Sequence, residues 1–326
     1  MNSGLLGLLI FIGVGIGLWL VSHLVEVLRR APLAPRVLPW ARDIPVGYVD
    51  IRGCKVRYIE AGRGPNLILL HTLRTQLDLF EKVVPGLARH FTVYALDYPG
   101  HGHSEIPKAR YDAAFFTDFV EAFLETLDLR DVTLCGVSIG GAISLIIAGR
   151  RNPRVTRVVA INPYDYGKGR GMARSSLLGW MITMTSQIPL VGETVMRLRN
   201  FVIMKAVLEG GVAQRESIPP PLLREMYDVG NRPGHYRAFI SLLRNSKTWE
   251  AATTIYASIN APALVVWGDQ DWARPHEREQ HRPLLPRAKF ATVANGGHFL
   301  PLDRPDAVIE QISLFALQTR ASKRAP

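Results

Sequence analysis

The stretch of sequence that decides the fold runs from residue 132 to residue 150 and reads VTLCGVSIGGAISLIIAGR. It begins with an apolar run, Val132–Cys135, that is typical of a buried strand, and ends with Ala142–Arg150, which is typical of a helix. Between them the pattern Gly-x-Ser-x-Gly is centred on Ser138. At a strand-to-helix junction this pattern forms a sharp turn that exposes the serine oxygen beside the helix N-terminus. Ser138 is therefore a candidate nucleophile; a phosphate loop would need a lysine that is absent here, and a plain glycine turn is the remaining alternative.

Two further segments carry the groups that a serine nucleophile needs. Serine is a weak nucleophile at its ordinary pKa, so a histidine must take its proton and a carboxylate must orient that histidine. Val265–Asp271 places carboxylates just beyond one predicted strand, and Asn295–Phe299 places His298 just beyond the last one. Loops at the carboxyl ends of parallel strands are where such sheets build their sites. The order serine, acid, histidine along the chain agrees with Ser138 as the nucleophile.

Short apolar runs alternate with longer helical patterns along most of the chain. Runs rich in Val, Ile and Leu indicate strands that are covered on both faces, and the alternation is that of a doubly wound, mostly parallel α/β sheet. Residues 46–60 add two strands around a turn at Arg52-Gly53. The predicted strands are Asn66–His71, Phe91–Leu96, Val132–Gly136, Arg157–Asn162, Ala263–Trp267 and Phe290–Val293. The predicted helices cover about 77–89, 111–127, 141–150 and 305–319.

The alternation stops between about 165 and 255. This stretch contains helix-like segments such as Ser175–Ser186 and Val195–Leu208, three consecutive prolines at 219–221, and no convincing strand. The strand pattern resumes at Ala261. An inserted helical subdomain that lies above the sheet explains this stretch best.

The N-terminal segment predicts a membrane helix. No charged side chain occurs from Met1 to Val25, and Gly4–Val21 is almost purely apolar; about 20 such residues cross a hydrocarbon core of about 30 Å. A buried soluble helix is one alternative, but the segment is too long for it and has no polar face. A cleaved signal peptide, the other alternative, would need a positive charge before the apolar run. We therefore expect a retained anchor at 1–25.

The residues that follow the anchor predict its orientation. Basic side chains follow the apolar segment at once, so the positive-inside bias places the long C-terminal part in the cytoplasm. Four prolines between residues 32 and 45 predict a stiff linker over 26–45. The basic residues concerned are Arg29, Arg30, Arg36 and Arg42.

Composition excludes several classes of protein. With 326 residues, of which 48% are hydrophobic and 21% are charged, the chain is typical of a folded globular protein. The net charge of +11 comes without a basic run interleaved with aromatics, so no nucleic-acid partner is predicted. Attraction to anionic lipid headgroups is the alternative to a plain solvated surface. Cys54 and Cys135 make no disulfide framework and lack metal-ligand spacing, and we expect no metal and no cofactor.

Residues from about 46 to 318 resemble the α/β-hydrolase superfamily, of the type with a helical cap inserted after the sixth strand. The resemblance rests on His71, Asp97–Ser104, Gly136–Gly141, Trp267–Asp271 and Gly297–Phe299. It implies the α/β-hydrolase fold, a mostly parallel doubly wound sheet with an inserted cap, here preceded by one transmembrane helix. The predicted organisation is an anchor at 1–25, a linker at 26–45, a core at 46–164 and 256–320, a cap at 165–255 and a basic tail at 321–326.

The resemblance implies a role for each residue of the site. Ser138 is the nucleophile, His298 the general base, and Asp271 the acid that holds the imidazole. Asp271 is preferred to Asp269 because the family's acid lies three residues after the strand-end glycine, which makes Asp269 a turn residue. A minority of relatives carry the acid after strand six, and this leaves Asp165 as the alternative.

The resemblance also implies an oxyanion hole that is formed by two backbone N–H groups. One belongs to Ile139, the residue after the nucleophile, and the other to Leu73 in the loop after strand three. Relatives usually carry His-Gly in that loop, where this chain has His71-Thr72. A β-branched threonine does not easily take the positive φ that is open to glycine. The segment Asp97–Ser104 is expected to be a structural turn.

A serine nucleophile restricts the reaction. Relatives that open epoxides or displace halides use a carboxylate nucleophile, so acyl transfer remains. Hydrolysis of a carboxylic ester is the expected reaction, while C–C bond, thioester or amide hydrolysis and acyl transfer to an alcohol use the same groups. Two other classes stay open: a non-catalytic ligand-binding protein with this fold, and a membrane scaffold that acts through the anchor and its Gly13/Gly17 pair.

The predicted cap carries the information on the substrate. It is apolar and rich in methionine at Leu177–Met184 and Phe201–Met204, although packing against the sheet explains much of this. Together with the anchor, this composition predicts a small-molecule or lipid-like acyl substrate and membrane lipids as partners. The candidate substrate contacts are Trp180, Met184 and Arg74, of which Arg74 could bind an anionic group unless it is solvated.

Overall fold

A single sheet organises the described part of the chain, which comprises residues 3–324 of a computed structural model, with side chains described to residue 319. Its strands are β1 (Val37–Leu38), β2 (Ala41–Ile51), β3 (Cys54–Ala61), β4 (Asn66–Leu70), β5 (Thr92–Leu96), β6 (Val132–Val137), β7 (Val155–Ile161), β8 (Ala263–Gly268) and β9 (Lys289–Val293). Their order across the sheet is β1-β2-β3-β5-β4-β6-β7-β8-β9.

The strands at one edge of the sheet are antiparallel and the remaining strands are parallel. β2 and β3 form a hairpin whose turn is Arg52-Gly53, with both turn residues at positive φ, and β3 pairs antiparallel with β5. From β5 to β9 every neighbouring pair is parallel. β6 and β8 are buried along their whole length, because parallel strands are covered on both faces. The predicted doubly wound, mostly parallel sheet is confirmed.

The helices of the described residues differ from the predicted ones at two places. The expected helix at about 77–89 is a 3₁₀ turn, Leu77–Phe80, followed by one helical turn, because Pro85 has no N–H group to continue a helix. The segment Val195–Leu208 is split in two, since Asn200 leaves the helical backbone and its side chain accepts the N–H of Ile203. The helices are α1 (Ser3–Val27), α2 (Val84–Leu87), α3 (Ala113–Thr126), α4 (Ile139–Gly149), α5 (Leu177–Thr185), α6 (Val191–Arg197), α7 (Phe201–Glu209), α8 (Pro220–Gly230), α9 (His235–Arg244), α10 (Lys247–Ala251), α11 (Pro275–Glu279), α12 (His281–Leu284), α13 (Leu300–Asp303) and α14 (Pro305–Arg324).

The insertion between β7 and β8 consists of α5 to α10 and short 3₁₀ turns, with no strand between residues 165 and 255 of the described chain. We call this insertion the cap. Among the hydrogen bonds that hold it on the loops of the core, Trp272 Nε1 donates to the carbonyl of Gly210 (2.8 Å), and Phe299 N donates to the carbonyl of Gly211 (2.7 Å). Because Trp272 and Phe299 follow directly after Asp271 and His298, the cap lies over this end of the sheet.

Helix α1 is the segment that was predicted as a membrane anchor. It is long and apolar enough to cross a membrane, and its apolar stretch is not buried by the rest of the described chain. Its C-terminal end binds the cap. The Glu26 carboxylate accepts hydrogen bonds from Arg199 Nη1 (3.0 Å) and from the backbone N–H of Gly234 (2.8 Å).

The structure differs from the predicted linker at 26–45. β1 and the first residues of β2 pair with each other, with Val37 opposite Pro45, so the sheet begins inside the predicted linker. Pro45 is compatible with this pairing because an edge strand tolerates a residue without an N–H group. The segment between α1 and β1 is therefore shorter than expected. The side chains of the predicted basic tail at 321–326 lie outside the described residues, although the α14 backbone runs to Arg324.

A buried ion-pair network joins the antiparallel and parallel parts of the sheet. Arg57 on β3 donates from Nε to Asp97 (2.6 Å) and from Nη2 to Asp78 (2.6 Å), and all three side chains are buried. The Asp97 carboxylate also accepts the backbone N–H groups of Leu77 (2.8 Å) and His103 (2.7 Å). Burial alone would raise the pKa of Asp97, but Arg57 holds that pKa below its usual value. These contacts give the turn that begins at Asp97 a structural role.

Replacing Asp97 with asparagine should destabilise the fold strongly, because Asp97→Asn removes the main counter-charge of buried Arg57. A loss of about 3–5 kcal/mol in the free energy of unfolding is expected for breaking such a pair. Chemical denaturation of the purified protein measures it. Asp128→Asn is the matched control, since Asp128 pairs with Arg130 and Arg154 at the surface and should change stability little. Equal effects of the two changes would contradict the structural role of Asp97.

Candidate active site

The turn at Ser138 places the candidate nucleophile on a strained backbone. Ser138 has φ 60° and ψ −119°, a conformation that non-glycine residues rarely adopt. Neighbouring backbone leaves no room for a side chain at Gly136 or Gly140, the glycines two residues before and after Ser138. A Cβ atom on Gly136 would lie 2.1 Å from the carbonyl of Gly140, and one on Gly140 would lie 2.2 Å from the carbonyl of Leu70. The two glycines are therefore required by close contact, and they allow β6 to turn directly into α4.

Backbone hydrogen bonds fix this turn against β7. Ser138 N donates to the carbonyl of Ile161 (2.9 Å), and the carbonyl of Ser138 accepts the N–H of Tyr164 (3.1 Å). Ile139 is the first residue of α4, so its N–H has no partner within the helix and points from the positive end of the helix dipole. The nucleophile turn thus presents a hydroxyl and a backbone donor side by side.

The structure brings His298 and Asp271 together. His298 Nδ1 donates to Asp271 Oδ1 at 2.5 Å, and both side chains are fully buried. The second carboxylate oxygen of Asp271 accepts the N–H of Ala273 at 2.7 Å, which fixes the carboxylate plane. Asp269, the neighbouring carboxylate, accepts the N–H of Gly296 instead (3.1 Å). Asp271 therefore has the position of an orienting acid, and Asp269 that of a turn residue.

Asp165, the alternative acid, has different partners. Its carboxylate accepts hydrogen bonds from His281 Nε2 (2.6 Å) and from the Tyr256 hydroxyl (2.6 Å), and all three side chains are buried. Burial alone would lower the pKa of His281, but the attraction to Asp165 and their hydrogen bond raise it above its usual value. The carboxylate of Asp165 is thus occupied by a histidine other than His298.

Asn162, which the sequence analysis did not single out, ties the loops of the site together. Its side-chain NH₂ donates to the carbonyls of Gly297 (2.9 Å) and His298 (3.1 Å), and its Oδ1 accepts the N–H of Gly268 (2.8 Å). It follows Ile161, which holds the Ser138 turn, and has φ 45°, a conformation that asparagine tolerates. The end of β7 therefore fixes the nucleophile, acid and histidine loops relative to each other. The signal in the sequence was an asparagine as the last residue of the predicted strand Arg157–Asn162.

Two reactive atoms of the site are buried without a partner. Neither Ser138 Oγ nor His298 Nε2 has a hydrogen bond within the described residues, and both residues are 0% exposed. Buried polar atoms usually have a hydrogen-bond partner, so two unpartnered atoms in one site call for a functional explanation. Tyr164 borders both residues: its N–H binds the carbonyl of Ser138, and its ring lies 6.1 Å from the His298 ring. A serine nucleophile and its histidine base make contact through Oγ and Nε2, the two atoms that lack partners here. In unliganded sites this contact is often long.

Trp272 is a further residue that the sequence analysis missed. Its indole stacks on the His298 imidazole, with ring centroids 3.8 Å apart and planes 13° apart. The indole N–H is anchored to the cap carbonyl of Gly210. Stacking on Trp272 and the hydrogen bond to Asp271 together restrict rotation of the imidazole. A tryptophan that follows the predicted acid directly was the available signal.

The loop after β4 meets the nucleophile turn, as the close approach of Gly140 to Leu70 shows. Left-handed backbone in this loop falls on Arg74 (φ 62°), so Thr72 does not need the conformation that a threonine resists. Leu73 is buried. His71 accepts the N–H of Tyr98 at Nε2 (3.2 Å) and binds the carbonyl of Thr72 through Nδ1 (2.8 Å). Burial lowers the pKa of His71 to about 4, so it holds the loop as a neutral ring.

The Arg74 side chain is buried, so the alternative of a solvated arginine does not hold. It is 3% exposed and donates from Nη1 to the carbonyl of Gly230 (2.6 Å) and to His235 Nδ1 (2.6 Å). Nε and Nη2 approach the Met204 sulfur at 3.2 and 3.0 Å. Protein groups therefore occupy the guanidinium, which leaves it no free donor pair for the anionic substrate group considered above. Arg74 instead joins the loop after β4 to the cap.

The other two candidate substrate contacts lie on α5. Trp180 is 52% exposed at the surface of the cap, and Met184 is half-buried. Their contact with a substrate stays a prediction. Among the described residues, no group of three or more His, Cys, Asp or Glu side chains could hold a metal ion.

Comparison with known proteins shows similarity to proteins of one fold. Residues 65–193 match a family described as alpha/beta hydrolase fold. The uncharacterized hydrolase YugF of Bacillus subtilis is 28% identical over 284 residues, which is 83% of this chain and 97% of that protein. The 2-(acetamidomethylene)succinate hydrolase of Mesorhizobium japonicum is 24% identical over 277 residues, 82% of this chain and 93% of that protein.

Solved structures give the same fold. The haloalkane dehalogenase DbeA of Bradyrhizobium elkani superposes with a TM-score of 0.76 at 20% identity, and the match covers 86% of this chain and 100% of that one. A bacterial membrane phospholipase A superposes with a TM-score of 0.67 at 25% identity, and the match covers 98% of this chain and 99% of that one.

Asp271→Asn and Asp165→Asn separate the two candidate acids. Asp271→Asn should lower kcat about 10⁴-fold at unchanged stability of the fold, because an amide favours the wrong imidazole tautomer. Asp165→Asn should keep most activity and lower stability. Because Asp165 raises the pKa of His281, that stabilisation is complete below the unfolded pKa of about 6.5 and is lost as the pH rises through the folded pKa. The stability loss should therefore be larger at about pH 6 than at about pH 9. Turnover that only Asp165→Asn abolishes would reverse the assignment.

Proposed function

Because this chain is an α/β-hydrolase-fold protein, we propose that it is a membrane-anchored serine hydrolase that cleaves a lipid-like carboxylic ester through an acyl-enzyme on Ser138. The observation that carries the proposal is the state of the His298 ring. Its Nδ1 is held by buried Asp271, while neither its Nε2 nor Ser138 Oγ has a hydrogen-bond partner in the part of the chain that the structure describes. A histidine in this state is ready to accept a proton from the serine.

The steps of the reaction follow from these positions. As Ser138 Oγ attacks the ester carbonyl, its proton passes to His298 Nε2, and Asp271 stabilises the imidazolium. The negative charge that develops on the carbonyl oxygen is stabilised by the backbone N–H groups of Ile139 and Leu73. The imidazolium then protonates the leaving alcohol, which departs and leaves the acyl group on Ser138. Water, deprotonated by His298, attacks the acyl-enzyme and releases the carboxylic acid and the free serine.

A serine at the turn also separates this chain from some proteins of the same fold. Haloalkane dehalogenation and epoxide opening proceed through an alkyl-enzyme ester, for which a carboxylate is the nucleophile. Ser138 has no carboxylate, so the structural similarity to a dehalogenase extends to the fold and not to that chemistry. Acyl transfer is the chemistry that the arrangement of Ser138, His298 and Asp271 supports.

Two observations support a lipid-like substrate at a membrane. The match to the membrane phospholipase A covers 98% of this chain, a share that has to include most of the 25-residue helix α1. That helix is long and apolar enough to cross a bilayer. The arginines after it, Arg29 to Arg42, favour a cytoplasmic catalytic domain. An ester of a long acyl chain is the substrate class that reaches such an enzyme directly from the membrane.

Activity-based labelling followed by a chain-length series tests the proposal. A fluorophosphonate probe should label the purified full-length protein in detergent and should fail to label Ser138→Ala. The specificity constant should be higher for octanoyl than for acetyl esters, because a longer chain buries more apolar surface at about 0.8 kcal/mol per CH₂ group.

The two measurements can fail separately. Absence of labelling at Ser138 would favour a ligand-binding protein with this fold. A preference for acetyl over octanoyl esters would retain the serine hydrolase and reject the lipid-like substrate. Cell fractionation adds a third result, because a protein that is soluble with its N-terminus intact would reject the anchor.

A further inference from the structure

An open apolar groove lies between α1 and the cap helix α6. Its volume is about 580 Å³, and side chains of both helices line it. α1 contributes residues between Phe11 and Trp19, and the cap contributes residues between Leu190 and Leu198. Thr194 is the one hydroxyl-bearing residue among the lining residues, and no charged residue is among them.

The position of this groove along α1 is fixed by polar contacts at one end. Arg199, just after α6, binds Glu26, and Arg197 approaches the His23 ring at 3.5 Å. Ser22 is fully buried next to these contacts. The C-terminal end of α6 therefore lies beside residues 22–26 of α1, and its N-terminal end at Leu190 extends toward the middle of α1.

This placement sets the depth of the cap edge if α1 crosses a bilayer. The first charged side chain of α1 is Glu26, and the groove lies 7 to 15 residues before it. At about 1.5 Å per residue, this is about 10 to 22 Å into a hydrocarbon core of about 30 Å. Whatever packs against residues 11–19 of a membrane-spanning helix lies in the same layer.

The side chains at the cap edge agree with that depth. Ile188, Leu190 and Val191 are 52%, 67% and 44% exposed. Leu190 also takes a left-handed backbone conformation (φ 64°), in which a glycine would be far less strained. A leucine in this position places a large apolar side chain outward at the tip. Exposed apolar surface that continues onto a membrane helix is the mark of a membrane interaction site.

We propose that the acyl chains of bilayer lipids fill the groove between α1 and α6, so that the cap edge at Ile188–Val191 lies in the hydrocarbon layer. The inference rests on the membrane anchoring in the proposed function and extends it from the anchor to the cap. The catalytic domain then lies partly in the membrane, and α1 is packed against it and not joined to it only by a flexible linker. The contacts of Glu26 with Arg199 and Gly234 hold it there.

Depth-resolved fluorescence quenching tests this arrangement on the full chain in phosphatidylcholine vesicles. A single environment-sensitive label is attached at Leu190→Cys and, separately, at Phe11→Cys and Leu314→Cys. The parent protein, treated with the same label, is the background control. Its two cysteines are both buried and should react little with the label. Leu314 is the matched surface position, because it is 48% exposed but lies on α14, which belongs to neither α1 nor the cap.

The labels at Phe11 and Leu190 should both be quenched by lipids that carry a spin label in the acyl chain, and the label at Leu314 should not be. Quenching at Phe11 without quenching at Leu190 would overturn the inference and leave the anchor intact; water or a second copy of the chain would then cover the cap edge. Absence of quenching at Phe11 would reject the anchor itself. Quenching at Leu314 equal to that at Leu190 would also overturn the inference, because the label would then report non-specific adsorption.

Discussion

The close backbone contact at the nucleophile turn is the constraint on which the site depends. Gly140 lies so near the carbonyl of Leu70 that no side chain fits between them. This contact presses the first turn of α4 against the end of β4, and it therefore sets the distance between the Ser138 turn and the loop that carries Leu73. The two backbone donors of the proposed oxyanion hole belong to the two segments that meet at this contact, so backbone packing restricts how these segments lie relative to each other. Backbone packing of this kind has little freedom to relax.

A second constraint acts from the opposite side, at the end of β7. Ile161 holds the Ser138 turn through its carbonyl, and Asn162 binds the loops that carry Asp271 and His298 through its amide. One strand end therefore positions three segments that are far apart in sequence. Asn162 satisfies buried carbonyl and N–H groups of those loops that otherwise have no partner in the sheet. A polar residue in a strand end of this type is a structural requirement of the site even though it has no place in the chemistry.

The sequence predicted the parts of this structure that depend on local patterns. Apolar runs located the parallel strands, and the glycine spacing around Ser138 located the turn. The pattern could not predict that Val195–Leu208 divides at Asn200, because an N-cap within an apolar stretch competes with helix propensity. It also missed Trp272, which stacks on His298, and Asn162, which donates to the carbonyl of His298. Both contacts join segments more than 25 residues apart, so a local pattern does not report them. The buried state of Arg74 depends on cap residues 130 or more positions away, which no local signal reports.

Contacts at the cap join the apolar helix to the loop beside the nucleophile. Glu26 at the end of α1 binds Arg199, and Arg199 and Arg74 both donate to the carbonyl of Gly230, at 3.4 and 2.6 Å. Burial and the neighbouring positive charges lower the pKa of Arg74 well below its usual value, with Glu26 among the groups that oppose this shift. Glu26 is thus linked through Arg199 and the Gly230 carbonyl to the arginine that directly follows Leu73. The last turn of α1 is consequently part of the packed structure that supports the site, because without it the buried arginines of the cap would lose a carboxylate that compensates them.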